Sequence, residues 1–421
     1  MDMRELKGLE IAARSKIEFD GGAWLVPSQS GKGKYRVLLS AEGDSCNCED
    51  FALTLKPCKH VHATRIVRER DHGGKSPKID TGIVPKRPTY RQVWPAYNKA
   101  QAVEKNRLQE LLFDLCQGIE EPNRGGKPGH KPHTLRDSIF AMAFKVYSTF
   151  SSRRFNCDIA DAHALGYLSR PVPGMKVPAF FGNADLTPIL HKLITLSSLP
   201  LKTVETVFAP DSTGFSTSRF VRWYDEKYGV TRSGKDWVKA HAICGVKTNI
   251  VTAVTIEGRD AGDSPQFKPL VETTAAAGFT VKEVPADKAY LSHENLELVE
   301  SLGGIPFVPF KSNSQPNEPE SLWGKMYHYF SFRRDEFLVH YHQRSNAEST
   351  FSMVKAKFLD SVRSKTDVAM KNEVLCKFIC HNICCLIQAQ HELGIESIFW
   401  PVKDESPDDA PAVLPMIRPA N

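Results

Sequence analysis

The chain has 421 residues, of which 41% are hydrophobic and 25% charged, so two or three domains and at least one sizeable core are expected. No apolar run approaches the length of a membrane span, and Met1-Asp2-Met3-Arg4-Glu5 lacks the apolar stretch of a secretory signal, which argues against a membrane or secreted protein. Ten cysteines are too sparse for a disulfide scaffold; free thiols or a metal site fit better.

The formal net charge is +6, and residues 1–134, with 23 basic and 17 acidic side chains, carry the whole excess. It is steepest over 51–105, with 12 basic against 4 acidic residues, a stretch suited to a polyanion because each phosphate contact releases counterions. A solvated linker is the alternative reading.

In chain order, Trp24–Pro27 and Tyr35–Leu39 flank a turn-prone segment and read as a hairpin, followed by a cysteine cluster and a helix near Val61–Arg70. Residues 71–90 read as linker, Trp94–Leu115 as helix, and Pro122–Pro132 as a second linker. Thr134 with Asp137 resembles a capping signal ahead of Leu135, Ile139, Met142, Val146 and Phe150 at helical spacing. Asn156–Leu168 stays helical in tone, and 172–200 suggest short helices.

From 203 the texture changes. Thr203–Phe208, Trp237–Gly245, Ile250–Ile256, Val281–Ala286 and Ile305–Phe310 read as strands. Pro269–Gly278, Ser292–Leu302, Arg344–Phe358 and Asp367–Leu393 read as helices, and 311–325 as polar loop. Strands first, then strand–helix alternation, indicates an α/β domain with a mixed sheet. The tail, Asp404–Asn421, is acidic, Pro-rich and expected to be disordered.

Cys46, Cys48, Cys58 and His60 form C-x-C-x9-C-x-H, a Cys3His set suited to tetrahedral zinc, with His62 as a substitute for His60. Two tight pairs around one ion would contribute folding free energy that a small hairpin region lacks. The pattern resembles the SWIM zinc finger, C-x-C then C-x-H after strands; that resemblance implies DNA or protein binding, and such fingers occur beside transposase domains.

Asp211 stands just past one expected strand end and Asp287 just past another, where ligand-binding carboxylates tend to project from α/β sheets. Either alone is as readily a turn residue or cap. Tyr341, Arg344, Glu348 and Lys355, at i, i+3, i+7 and i+14, would fall within an arc of about 60° on a continuous helix. A solvated face with an Arg344–Glu348 pair is the plainer reading of that stripe.

Taken together, Y-x2-R-x3-E-x6-K from Tyr341 to Lys355, Asp211-Ser212-Thr213-Gly214 and Ala286-Asp287-Lys288-Ala289-Tyr290 resemble the motifs of insertion-sequence transposases with a DDE core. Lys239-Ala240-His241 through Asp263-Ser264-Pro265 is similar to the stretch between the two aspartates. The resemblance covers roughly 135–390. It implies a ribonuclease-H-like mixed sheet flanked by helices, with Asp211, Asp287 and Glu348 holding Mg²⁺ or Mn²⁺ for two-metal phosphoryl transfer. It also implies that Tyr341, Arg344 and Lys355 contact DNA near the scissile phosphate.

The expected partners are terminal inverted repeats and target DNA, with a homodimer in the synaptic complex, no membrane partner, and a cytoplasmic location (nucleoid-associated in a prokaryote). The alternative is a domesticated, non-catalytic DNA-binding protein that keeps its finger. Only 60 residues separate Asp287 from Glu348, which excludes a large insertion there. The expected division is 1–70 zinc finger, 71–133 basic linker and helix, 134–202 helical DNA-binding region, 203–393 catalytic domain and 394–421 tail. Cys376, Cys380, Cys384, Cys385 and His381 read as a buried core helix. Asp225, Asp236, Asp260 and Asp263 read as surface or turn residues, Asp263 being the one able to support the metal site indirectly. Gly125–Gly129 reads as linker, not a phosphate loop.

Overall fold

A computed structural model describes residues 3–20, 23–29, 33–40, 43–54, 56–73, 92–122, 132–217, 237–258, 260–311, 314 and 320–400. Two compact units emerge, Met1–Val84 and Pro85–Asn421. Asp225, Asp236, Gly125–Gly129, the tail from Asp404 and most of the two expected linkers lie outside the described residues.

The first unit opens with helix α1 (Met3–Arg14). An antiparallel sheet follows, ordered β1 (Glu18–Asp20), β2 (Ala23–Pro27), β3 (Lys34–Leu38), β4 (Ser45–Cys46). Trp24 pairs with Val37 and Pro27 with Lys34, so the expected hairpin forms, and alternation along β2 turns Trp24 and Val26 into the core. Helices α2 (Glu49–Thr54) and α3 (Lys59–His72) complete the unit. α1 packs on α3 so closely that a Cβ at Gly8 would fall 2.6 Å from His62 Cβ, which is why that position needs a glycine. Ile11, Trp24, Val26, Val37, Val61 and Val67 form the apolar core around the three cysteines.

The second unit begins with helices α4 (Trp94–Gln117), α5 (Leu135–Ser148), α6 (Phe155–Ala164), α7 (Val177–Phe181) and α8 (Leu186–Ser198). Thr134 caps α5 as expected, its Oγ1 accepting from the Asp137 N–H at 3.0 Å. The strands β5 (Phe208–Ser216), β6 (Trp237–Gly245) and β7 (Val251–Glu257) form an antiparallel meander. After α9 (Ser264–Ala276) comes β8 (Glu283–Pro285), then α10 (His293–Ser301) and β9 (Ile305–Phe307), which pairs parallel with β8. A parallel bridge, Val207–Glu283, joins the two sheets, giving the order β7-β6-β5-β8-β9. Helices α11 (Leu322–Phe332) and α12 (Arg334–Tyr341), a 3₁₀ turn (His342–Arg344), α13 (Ser345–Phe358) and α14 (Asp367–Leu393) follow.

Side chains alternate across the meander. Ala209, Phe215, Ala242 and Val254 share a core with α5, α8, α13 and α14, whereas Phe208, Ile243 and Ala253 share one with α9 and α10. Helix α14 is buried on nearly every side, as its apolar circumference requires. Cys376, Cys380 and Cys385 are buried in it and Cys384 partly so; all four thiols are free, packed as small apolar groups. Asn382 satisfies both carbonyl and N–H of Val251 and the carbonyl of Ile194, tying α14 to β7 and α8.

Lys377, also on α14, is only 1% exposed, and its Nζ donates to the carbonyls of Phe358, Leu359 and Ser361 at 2.7–2.9 Å. Phe358 and Leu359 stand at the C-terminus of α13, where Leu359 leaves the helix with φ 72° and the last carbonyls lack helical partners, and Ser361 follows two residues on. Lys377→Met keeps the stem and deletes the donor. It should cost about 2–4 kcal/mol, because three buried carbonyls lose a charged partner. An unfolding free energy from denaturant titration that falls by less than about 0.5 kcal/mol would show these carbonyls to be satisfied otherwise.

Three expectations need correcting. The strand expected at Thr203–Phe208 begins only at Phe208, because Val204 and Glu205 N–H groups bond back to Leu201 in a turn. Asp211 therefore lies within β5, paired with Ala242, and not beyond a strand end. The polar loop expected over 311–325 gives way to α11 from Leu322, capped by Ser321, whose side chain accepts from the Gly324 N–H.

Candidate active site and metal centre

Asp211 shares its sheet face with Ala209 and Phe215, the face that packs toward α13. Asp287 follows β8 and caps a 3₁₀ turn, its Oδ1 accepting from the Ala289 N–H at 3.0 Å. Glu348 lies in the first turn of α13, a helix seated by buried Ala347, Phe351, Val354 and Phe358. The bridge between Val207 and Glu283 sets β8 beside β5, and so brings the Asp287 turn beside Asp211.

The three carboxylates converge on Arg344. Its Nη2 is 3.1 Å from Glu348 Oε1 and 3.8 Å from Asp287 Oδ2; its Nη1 is 3.9 Å from Asp211 Oδ2. Its Nε donates to Tyr341 Oη at 3.0 Å. The stripe that holds these groups is not one α-helix, since α12 ends at Tyr341 and the 3₁₀ turn intervenes. Tyr341 and Arg344 still face each other because residues i and i+3 eclipse in 3₁₀ geometry. Lys355 stands apart, two turns beyond Glu348, with its Nζ 5.5 Å from the centre of the Phe215 ring.

Burial pushes the Asp211 carboxyl above its ordinary range; the Ser212 N–H and Arg344 oppose this, and Glu348 and Asp287 add to it. Burial works against the charge of Arg344, but Tyr341, Glu348 and Asp211 together leave its pKa raised. Burial lowers the pKa of Lys355, with Asp360 opposing. Hard anionic oxygens suit a divalent cation such as Mg²⁺ or Mn²⁺. The three carboxylates stand around the guanidinium rather than against one another. Among the described residues, the only three or more His, Cys, Asp or Glu ligand atoms lying within 4.8 Å of one another belong to Cys46, Cys48, Cys58 and His60.

The opposite face of the sheet holds further polar groups. Asp263 is 2.8 Å from Lys239 Nζ and 3.4 Å from His241 Nδ1, and Ser212 hydrogen-bonds to it. Tyr290 is 1% exposed, and burial first, then Asp263, Asp211 and Asp287, hold its phenol well above the usual range. Tyr290 closes the Ala286–Tyr290 motif without a role read from the sequence; the structure sets it at the end of the turn that Asp287 caps.

In the first unit, Cys46, Cys48, Cys58 and His60 are all buried. His60 Nδ1 is 3.8 Å from both Cys46 Sγ and Cys58 Sγ, and its ring stacks on Tyr35 at 4.1 Å. Tetrahedral zinc, with Zn–S of about 2.3 Å and Zn–N of about 2.0 Å, needs ligand atoms roughly 3.5–3.8 Å apart, so this quartet fits structural zinc. His62 lies outside the set.

Residues 202–383 match the transposase DDE domain and residues 35–64 the SWIM zinc finger. No curated protein and no solved structure matches the chain. The chain thus carries an N-terminal SWIM zinc finger followed by a DDE transposase domain. A transposase domain implies an enzyme with DNA as its partner. Asp211, Asp287 and Glu348 lie within the first match, and the Cys3His quartet within the second. Among the described residues no helix is long and apolar enough to cross a membrane.

Proposed function

We propose that the protein is a DDE transposase that cleaves and joins the ends of its own insertion element by two-metal phosphoryl transfer. The convergence of Asp211, Asp287 and Glu348 on one guanidinium carries this reading. The strand order, three antiparallel strands followed by two parallel ones, supports a ribonuclease-H-like core.

In this reading Asp211, Asp287 and Glu348 hold Mg²⁺ or Mn²⁺, which when bound activate the attacking oxygen and stabilise the departing 3′ oxygen. Water attacks in donor-end cleavage and the freed 3′ hydroxyl in strand transfer. Arg344 binds the phosphate beside the scissile bond as a planar fork, with Tyr341 fixing its orientation through Nε. Lys355 meets the same strand further along α13; Phe215 beneath its ammonium and the loss of solvent there leave it ready to pair with an anion. The zinc finger and the basic stretch over 51–105 recognise the terminal inverted repeats, and two copies hold the paired ends.

The test is a linear duplex containing the short repeats that flank the gene, incubated with purified protein. Cleavage at the repeat boundary with a 3′ hydroxyl product is expected in Mg²⁺ or Mn²⁺ and not in EDTA. Intact DNA under every divalent cation, with the protein folded and bound to its ends, defeats the proposal.

A further inference from the structure

The placement of Arg344 bears on how the site is controlled. Its Nη2 and Nη1 reach toward Glu348, Asp287 and Asp211 at 3.1, 3.8 and 3.9 Å, so one cation is shared among three acids from a helix, a turn and a strand. Any other cation must compete with it for the same oxygens. We propose that Arg344 is an exchangeable internal counter-ion: it shields the carboxylates from divalent cations until a DNA phosphate draws the guanidinium away, which couples cation binding to DNA binding. This rests on reading the three acids as the metal site.

Three observations support exchange over a permanent lock. The contacts to Asp211 and Asp287 are long for charged hydrogen bonds, and the close one, to Glu348, is an i,i+4 pair. The side chain is 23% exposed, which leaves the guanidinium a path to solvent. The hydrogen bond to Tyr341 is made through Nε and does not engage either Nη group, so drawing the fork off the acids breaks no hydrogen bond of the Nη groups to Tyr341. A phosphate offers those groups two oxygens in fork geometry, a better fit than three acids held at unequal distances. Once the guanidinium has turned, the acids lose their counter-ion and their mutual repulsion favours a divalent cation. Linkage is reciprocal, so bound cation must tighten DNA by the factor with which DNA tightens cation. The result is an enzyme that loads its metal on DNA.

The experiment measures Mn²⁺ binding to the full-length protein by the free-ion electron paramagnetic resonance signal, with and without a pre-cleaved end duplex. Wild type should bind Mn²⁺ at least about tenfold more tightly with the duplex. Arg344→Gln should bind it about tenfold more tightly than wild type without DNA, and the duplex should add little. A wild-type affinity indifferent to the duplex overturns the proposal, and needs no variant to fold. So does an Arg344→Gln protein, folded by its thermal transition, with wild-type Mn²⁺ affinity. The doubly substituted Asp211→Asn, Glu348→Gln protein separates the two readings. If it loses Mn²⁺ while Arg344→Gln behaves as wild type, only the counter-ion role falls. If it binds Mn²⁺ as wild type does, the carboxylate site itself falls.

Discussion

Asp211→Asn and Glu348→Gln should each reduce end cleavage by at least about a thousandfold, roughly 4 kcal/mol of transition-state stabilisation, without loss of the folded state. Both changes keep side-chain volume and remove one anion from the group around Arg344. They should differ in stability. The Asp211 pKa is raised on folding, mainly by burial, so its ionised form is disfavoured in the native state. A group of that sign contributes stability below its unfolded pKa and loses it as pH rises through the folded value. At neutral pH the Asp211 charge is therefore a net burden, and Asp211→Asn should hold or raise the melting temperature measured in EDTA. Activity falling while thermal stability holds or rises is the signature of a functional charge kept at a structural cost. Full cleavage by either variant would remove these acids from the chemistry. A melting temperature lowered by Asp211→Asn would show that its attraction to Arg344 outweighs its burial. Asp287→Asn tests the third acid while keeping an oxygen to cap its turn, which Asp287→Ala would not.

The sequence announces some elements almost to the residue. Trp237–Gly245 alternates and Asp367–Leu393 is an unbroken helix-forming run, and both form as read. Phe208–Ser216 was harder. Pro210 reads as a strand terminator, yet it lies inside β5, opposite Ile243 of β6, with paired residues on both sides of it. The turn that delays the strand start depends on bonds to Leu201, which no periodicity reports. The three acids were legible as residue types in motif order, and their meeting was implied by the resemblance alone, since neither spacing nor periodicity reports it. It depends on β8 settling beside β5 through a bridge at Val207 and on a 3₁₀ turn that keeps Arg344 against Tyr341. The guanidinium at the centre of the acids is a tertiary fact, since the sequence shows only that Arg344 and Glu348 are four apart.

Cys58→Ser should abolish zinc binding and unfold the first unit. Cys58 is fully buried, and its sulfur is 3.8 Å from His60 Nδ1. Serine offers a weaker oxygen ligand at a position shaped for thiolate, and the remaining ligands cannot close a tetrahedron. The apolar core around this quartet is short, built on Ile11, Trp24, Val26, Val37, Val61 and Val67. Structural zinc in small fingers supplies on the order of 10 kcal/mol of folding free energy, more than such a core provides by itself. Loss of the ion should therefore release Trp24, which is 1% exposed and packed edge-on against Phe19 at 5.0 Å, and shift its fluorescence toward that of a solvated indole. The first measurement is metal content: one zinc per wild-type chain and essentially none in Cys58→Ser. His62→Ala is the control and should keep its zinc, because His62 lies outside the quartet. Stoichiometric zinc in Cys58→Ser, or its loss in His62→Ala, would require a different ligand set. If zinc is lost but Trp24 stays buried, the metal is a passenger in a unit that folds without it, and the shape of the finger rests on the α1–α3 packing instead.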